Sequence, residues 1–281
     1  MTERMIDADG VRLCTETFGA SGDPPVLLIM GSGASMLWWD DTFCEALAGG
    51  GRFVVRYDHR DTGRSTAWPP GRPGYGGPDL VADAVRVLDG HGIGRAHVVG
   101  GSMGGALAQL VALDDPDRVA SLVLLSTSPA GPGGDLPPVS DAYAAFLAGA
   151  RVDWSDPRSI VEHVVADVRA LTGERPFDET RVRAFVERDV ARARNAASAQ
   201  NHALLDGGAP WRGRLGEIAV PTLVIHGSAD PLFALGHGEA LAREIPGARL
   251  LVLDGAGHVL HPADHDAVAA AILDHTERAQ R

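Results

Sequence analysis

The stretch that decides the fold runs from Ala96 to Ala108 and reads AHVVGGSMGGALA. A short apolar run leads into residues 100–104, which have the form G-x-S-x-G, and a helix-like apolar pattern follows at once. This order is typical of a nucleophile elbow, a serine held on a tight strand-to-helix turn. Glycines two residues before and after the serine suit such a turn because neighbouring backbone passes too close for a side chain. Ser102 is therefore the candidate nucleophile, beside the positive end of a helix.

Short apolar runs alternate with helix-like stretches on both sides of this elbow. Besides the strand before Ser102, the pattern predicts strands at 11–18, 25–30, 53–57, 120–125, 220–226 and 248–253. Amphipathic spacing predicts helices at 40–48, 79–89, 234–244 and 262–275. Because strands alternate with helices, the chain is expected to form an α/β fold with a mainly parallel sheet flanked by helices.

The alternation of strands and helices stops after the predicted strand at 120–125. A loop cluster at 128–134 is followed by a long stretch that reads only as helices, at 139–148, 157–171 and 179–193. Asp156 and Asp178 are the predicted N-caps of the last two. The sequence thus predicts an α/β core at 1–130 and 212–281, with a helical cap at 131–211 inserted between its two parts.

Composition narrows the functional classes. The 281 residues suit one core with an insertion, and the net charge of −12 argues against nucleic-acid or anionic-membrane partners. The chain contains no lysine, which excludes Schiff-base chemistry on a lysine. Its two cysteines, Cys14 and Cys44, are too few for a disulfide framework and lie in no metal-binding pattern. The start has no leader-like apolar region and no segment is long enough to span a membrane, so a cytoplasmic protein is expected.

Two further residues complete a predicted catalytic triad. A serine nucleophile needs a base and a third group that orients the base, and after this elbow the expected order is Ser, Asp or Glu, His. Asp230 and His258 each come just past a predicted strand, at the sheet edge where active sites of parallel sheets lie. The alternatives are His261 and His265 for the base, which look like the entry to the last helix, and Asp254 for the acid, which starts a turn.

The third requirement is an oxyanion hole. One donor is expected to be the backbone N–H of Met103, directly after the nucleophile. The second is assigned to Ser32, in the loop Met30-Gly31-Ser32-Gly33 that follows a predicted strand. Small residues in this loop, Gly31 among them, would let the backbone approach the substrate closely, which also makes Gly31 a candidate substrate contact.

Two other features need an interpretation. The charged run at 58–65 follows a strand, and we interpret it as ion pairs that fix a loop beside the site; a metal site on Asp58, His59 and Asp61 is the less favoured alternative, since no other ligand cluster is in reach. No metal and no cofactor is therefore predicted. Aromatic residues after the oxyanion loop and in the cap are candidate lining of an apolar substrate pocket: Trp38, Trp39, Tyr143, Phe146, Trp154 and Trp211.

Nearly the whole chain resembles an α/β-hydrolase with a helical cap. The motifs that carry the resemblance lie at 56–65, 100–104, 220–231 and 255–258. Within that superfamily the chain is most similar to the actinobacterial aclacinomycin methylesterase group, which hydrolyses a carboxymethyl ester on an aromatic polyketide. The resemblance implies a Ser102, Asp230 and His258 triad with backbone donors at Ser32 and Met103, although Ser32 stands where glycine is expected in that group.

The function expected from these residues is cofactor-independent hydrolysis of a carboxylic ester through an acyl-enzyme, with a small-molecule substrate such as the methyl ester of a polyketide-like compound. The same triad would serve a thioesterase, a lactonase, a C–C bond hydrolase or a cofactor-free haloperoxidase. Epoxide hydrolases and dehalogenases of this fold are disfavoured, because an aspartate would stand in place of Ser102. A hypothesis of another class is a non-catalytic ligand-binding protein built on the hydrolase fold.

Overall fold

A computed structural model describes residues 3–129 and 135–280. Within these ranges eight strands form one sheet: β1 (Arg4–Ala8), β2 (Val11–Phe18), β3 (Pro25–Ile29), β4 (Phe53–Tyr57), β5 (Ala96–Gly101), β6 (Val119–Leu125), β7 (Thr222–Gly227) and β8 (Arg249–Leu253). Their spatial order is β1-β2-β4-β3-β5-β6-β7-β8. The pairs β1–β2 and β2–β4 are antiparallel and the other pairs are parallel, which confirms the mainly parallel α/β sheet.

Helices cover both faces of the sheet. In the described ranges they are α1 (Asp41–Gly49), α2 (Gly77–Gly90), α3 (Met103–Asp114), α4 (Asp141–Gly149), α5 (Pro157–Leu171), α6 (Glu179–Arg192), α7 (Gly236–Glu244) and α8 (His265–Arg278). One apolar cluster packs α2, α3 and α7 on one face, and a second packs α1 and α8 on the other. Parallel strands buried on both faces explain the continuous apolar runs in the sequence.

The helical insertion follows β6 and ends before β7. Helix α5 has the predicted bounds, α6 ends one residue earlier than predicted, and α4 begins at Asp141 because Ser140 caps it through its hydroxyl. Helices α5 and α6 pack through their own small apolar cluster, separate from the two clusters on the sheet. Residues 130–134, which hold most of the predicted loop cluster and the predicted boundary at 130, lie outside the described residues.

One strand was not predicted. Strand β1 is short and partly exposed, and its sequence RMIDA lacks a clear alternation of apolar and polar residues. It pairs with β2 across a tight turn in which Asp9 and Gly10 both have positive φ, 50° and 85°. An Asp-Gly pair before an alternating strand is a strong hairpin signal. The turn sequence therefore predicts a strand before it, although the sequence of β1 does not. In the described part of the chain, no helix has the length and apolar character needed to cross a membrane.

Candidate active site

Ser102 occupies the tight turn between β5 and α3. Its φ of 53° and ψ of −121° are a strained conformation for a residue with a side chain. A Cβ atom on Gly100 would collide with the Gly104 carbonyl group, and one on Gly104 would collide with the carbonyl oxygen of Ile29. The two glycines are therefore required by close backbone contacts, as predicted from the motif.

The backbone around Ser102 is tied to the neighbouring strand β6. The Ser102 N–H donates to the Leu125 carbonyl oxygen at 3.0 Å, and the Thr127 hydroxyl donates to the Ser102 carbonyl oxygen at 2.7 Å. These two bonds satisfy both backbone polar groups of the strained residue from one segment, the end of β6 and the residues after it. The Ser102 side chain is consequently fixed above the carboxyl end of the sheet, where loops from several strands converge.

A chain of hydrogen bonds connects Ser102 with the two predicted partners. Nε2 of His258 lies 3.0 Å from Oγ of Ser102, and Nδ1 of His258 lies 2.8 Å from Oδ2 of Asp230. Because a carboxylate accepts, His258 carries its proton on Nδ1, which leaves Nε2 free to accept the serine proton. The Asp230 side chain is fully buried and that of His258 nearly so. This arrangement can activate a serine hydroxyl as a nucleophile.

Asp230 is held by its own loop. Its Oδ1 accepts hydrogen bonds from the backbone N–H groups of Leu232 and Phe233, at 2.8 and 2.9 Å. The Nε2 group of His226 donates to the Phe233 carbonyl oxygen at 2.7 Å, and burial lowers the pKa of His226, which keeps it neutral. The Phe233 ring packs edge-on against the His258 ring at 5.5 Å. His226 and Phe233 thus shape the loop that orients the imidazole, and neither was predicted from the sequence.

The alternative residues lie elsewhere. Nε2 of His261 donates to the Pro176 carbonyl oxygen at 3.0 Å and its Nδ1 accepts from the Ala263 N–H, so His261 caps the turn that leads into α8. The ring of His265 packs against Phe43. Asp254 accepts a hydrogen bond from the Ser228 hydroxyl at 3.2 Å. Of the histidines considered, His258 is the one within hydrogen-bond distance of Ser102.

The loop after β3 runs directly against the serine. A Cβ atom on Gly31 would lie 3.1 Å from Cβ of Ser102, so only glycine allows this approach without a shift. Among the described residues, the N–H of Ser32 has no hydrogen-bond acceptor. Met103 is the first residue of α3, so its N–H has no partner within the helix. Two backbone donors with no acceptor among the described residues thus follow residues at the site, one after Ser102 itself and one after Gly31, and an oxyanion hole needs donors of this kind.

The charged run at 58–65 joins the site loops to the cap and to α2. Asp58 lies 2.8 Å from Nη2 of Arg192 in α6 and accepts from the Met36 N–H at 2.8 Å. Arg60 forms two hydrogen bonds, of 2.6 and 2.8 Å, with Asp83 of α2. The loop is fixed by ion pairs with more distant elements and not by pairs within the run. In the described ranges, no three His, Cys, Asp or Glu side chains are grouped so that they could hold a metal ion.

A cavity of about 800 Å³ lies between the core and the cap, and Ser102 and His258 are part of its wall. Its lining includes the predicted contacts Gly31, Trp38, Trp39, Tyr143 and Trp154. Phe146 and Trp211, which were also expected there, are not among the described residues that line it. The cavity is large enough for a drug-sized ligand.

The expectation that Phe146 and Trp211 line the cavity is wrong, because both rings pack against other side chains. The Phe146 ring stacks on the rings of Tyr143 and His163, at 5.8 and 5.9 Å, so it supports the cavity wall from behind. Trp211 belongs to the apolar cluster on the sheet, and its Nε1–H donates to Oε1 of Gln109 at 3.1 Å. The sequence shows that both rings are near the cap, but whether a ring faces the cavity or packs against other side chains depends on tertiary packing.

Two cap aspartates line the cavity and were missed. Asp189 of α6 accepts hydrogen bonds from the Ser35 hydroxyl at 2.5 Å and from Trp38 Nε1–H at 2.9 Å, tying the cap to the loop after β3. Asp167 of α5 accepts from the Tyr143 hydroxyl at 2.8 Å. Burial raises the pKa of both carboxyl groups. Asp167 directly precedes the buried Val168 on an amphipathic helix. An acidic residue beside such an apolar stripe is the one sequence feature that could have identified Asp167 as a cavity residue.

Comparison with known proteins agrees with this fold. A family model described as the alpha/beta hydrolase fold matches residues 24–264. Rhodomycin D methylesterase DnrP of Streptomyces peucetius is 36% identical over 301 residues, covering 99% of each chain, and DauP of Streptomyces sp. matches equally well. The crystal structure of a hydrolase from Pseudomonas aeruginosa superposes with a TM-score of 0.73 at 29% identity, covering 97% of each chain. The family match spans Ser102, Asp230 and His258.

Proposed function

We propose, because this chain belongs to the α/β-hydrolase family, that it is a serine hydrolase that cleaves a carboxylic ester. The observation that carries the proposal is the hydrogen-bonded chain from Ser102 through His258 to Asp230, at 3.0 and 2.8 Å. Two relatives named as methylesterases, similar over 99% of the chain, support an ester as the substrate.

The reaction proceeds in two halves. Oγ of Ser102 attacks the ester carbonyl carbon while Nε2 of His258 takes the hydroxyl proton, and Asp230 stabilises the imidazolium that forms. His258 then returns the proton to the leaving alcohol, and the acyl group remains on Ser102. In the second half, His258 removes a proton from water, the resulting hydroxide cleaves the acyl-enzyme, and the proton returns to Ser102.

The backbone N–H groups of Ser32 and Met103 stabilise the negative charge that develops on the carbonyl oxygen. Donors fixed in advance act more strongly than water because they need no reorganisation during the reaction. Two observations support this assignment: among the described residues neither N–H group has a hydrogen-bond acceptor, and Gly31 approaches Ser102 closely.

The substrate is a small apolar molecule with an ester, such as the methyl ester of a polyketide-like compound. The cavity of about 800 Å³ supports a ligand of this size, and Gly31, Trp38, Tyr143 and Trp154 on its wall are the proposed contacts. In this proposal residues 1–130 and 212–281 are the catalytic core and 131–211 the cap that selects the acyl group. Location in the cytoplasm stays a prediction from the sequence.

The test is turnover of p-nitrophenyl and methyl esters by the wild-type protein and by Ser102→Ala. Loss of a triad serine costs on the order of 10⁴-fold or more in kcat, while the fold should be retained. A fluorophosphonate probe should label Ser102 in the wild type. A Ser102→Ala variant that kept more than about a tenth of the activity would overturn the proposal, and inactivity of the wild type on every ester, thioester and lactone of a panel would favour the non-catalytic alternative.

A further inference from the structure

Two buried histidines hold the oxyanion loop from its outer side. His59 lies two residues past the end of β4, and its Nε2 donates to the Met30 carbonyl oxygen at 2.9 Å. His202 lies in the 3₁₀ helix Ala196–Leu204, after the cap helices, and its Nδ1 accepts from the Gly33 N–H at 2.9 Å. The two contacts bracket Ser32, which follows Gly31 and precedes Gly33. The imidazole rings are 5.9 Å apart and nearly perpendicular.

The partners of His202 dictate its protonation state. Nδ1 must accept, because its partner is a backbone N–H, and Nε2 must donate, because its partner is the Arg60 carbonyl oxygen at 2.8 Å. The ring is therefore neutral, with its proton on Nε2. Burial lowers the pKa of His202, so the ring keeps this state near neutral pH.

The segment that carries His202 is rigidly bound to the core. The Ser198 hydroxyl donates to the Trp68 carbonyl oxygen at 2.6 Å, and the Asn201 amide donates to Asp61 at 2.8 Å. Ser198 and Asn201 are fully buried, and fully satisfied buried polar networks fix a single geometry. His202 thus presents its acceptor to Gly33 from a fixed position, not from a mobile part of the cap.

We infer that His202 is a positioning residue that fixes Gly33 and thereby orients the Ser32 N–H toward the developing oxyanion. The inference rests on the proposed function, since it assigns His202 a part in the same reaction. The bond from Gly33 to His202 fixes the Ser32–Gly33 peptide unit, and the Ser32 N–H lies in the unit directly before it. Gly33 has a φ of 70°, so without this acceptor the Ser32–Gly33 unit can adopt other orientations and the preceding unit can follow it. A displacement of about 1 Å in a group that acts on the transition state can cost about 10²-fold in rate.

The experiment compares two polar substitutions of similar size. Oδ1 of the asparagine in His202→Asn can take the place of Nδ1 and still accept from Gly33, whereas the amide in His202→Gln extends to the place of Nε2. With p-nitrophenyl acetate we expect His202→Gln to lower kcat by about 10- to 100-fold with KM within about twofold, and His202→Asn to stay within about fivefold of the wild type. Affinity for a trifluoromethyl ketone, which forms an oxyanion on the serine, should fall in parallel with kcat.

His97→Gln is the matched control. His97 is also buried and also bonded through both ring nitrogens, to Ser121 and Gln280, but it lies near the start of β5, at the opposite end of this strand from Ser102. This control should lower Tm without changing kcat. Equal kcat in His202→Gln, His202→Asn and the wild type would overturn the inference, as would equal losses in both His202 variants and the control. If the wild type is inactive, or Ser102→Ala is active, the proposed function itself fails.

Discussion

The core and the cap contribute to the cavity in different ways. The core supplies Ser102, Asp230 and His258, each just past a strand and each joined to the next by a hydrogen bond of 3.0 Å or less. The cap supplies mainly apolar wall, interrupted by a few buried polar groups such as Asp189, which bonds to the loop after β3. Under the proposed function this difference separates two tasks: the core would carry bond cleavage, and the cap would select the substrate and steady the loop beside it.

The largest effect expected within this comparison tests which histidine of the core is the base. His258→Ala should reduce kcat on p-nitrophenyl esters by at least about 10³-fold and suppress fluorophosphonate labelling, because Ser102 loses its proton acceptor. His261→Ala is the matched control, three residues along the same loop, where Nε2 bonds to the Pro176 carbonyl oxygen. It should change KM or Tm modestly and keep labelling. The opposite pattern would assign the base to His261.

The same division explains what could be predicted from the sequence. Ser102, Asp230 and His258 follow strands directly, so the carboxyl edge of a parallel sheet brings them together whatever the loops do in detail. The glycines at 100 and 104 report backbone contacts that a side chain would prevent. Residues of this kind are fixed by local chain geometry, which the sequence pattern records.

The cap residues were missed because their roles arise from long-range packing. His202 reaches a loop 169 positions away in the sequence, and Asp189 reaches one more than 150 positions away. Phe146 was expected in the cavity wall, but its ring stacks on those of Tyr143 and His163 and is not among the described lining residues. No local pattern states which distant element a helix face will contact.

The effect of intermediate size is a pH dependence of the free energy of unfolding, caused by the buried His59 beside the oxyanion loop. Burial lowers the pKa of His59 to about 3, whereas in the unfolded chain it titrates near 6.5. Between those values the unfolded state binds the extra proton, so this histidine makes the free energy of unfolding fall as pH falls, by up to about 1.4 kcal/mol per pH unit. His59→Gln should flatten that slope between about pH 6 and pH 4 in urea titrations.

Burial also lowers the pKa of His97, to about 4, which makes His97→Gln the companion variant for this measurement. Its contribution should end near pH 4, while that of His59 continues to lower pH. Because His59 donates to the Met30 carbonyl oxygen beside the oxyanion loop, its variant should also lower kcat, and the His97 variant should not. A slope unchanged by His59→Gln would show that the core does not hold this ring neutral.

The smallest effect belongs to the apolar wall of the cap. Trp154 lines the cavity and packs edge-on against His163, so Trp154→Ala should raise KM for an aromatic methyl ester by about three- to tenfold, the range expected for lost apolar contact in a pocket. The kcat for p-nitrophenyl acetate should stay within about twofold, because that small ester does not need the wall. Phe146→Ala is the control: it removes a ring of similar character that lies behind the wall, so it should lower Tm and change KM less. Equal KM increases in both variants would mean that the cap acts through its overall stability, and a large loss of kcat in Trp154→Ala would mean that the cap shares the task assigned here to the core.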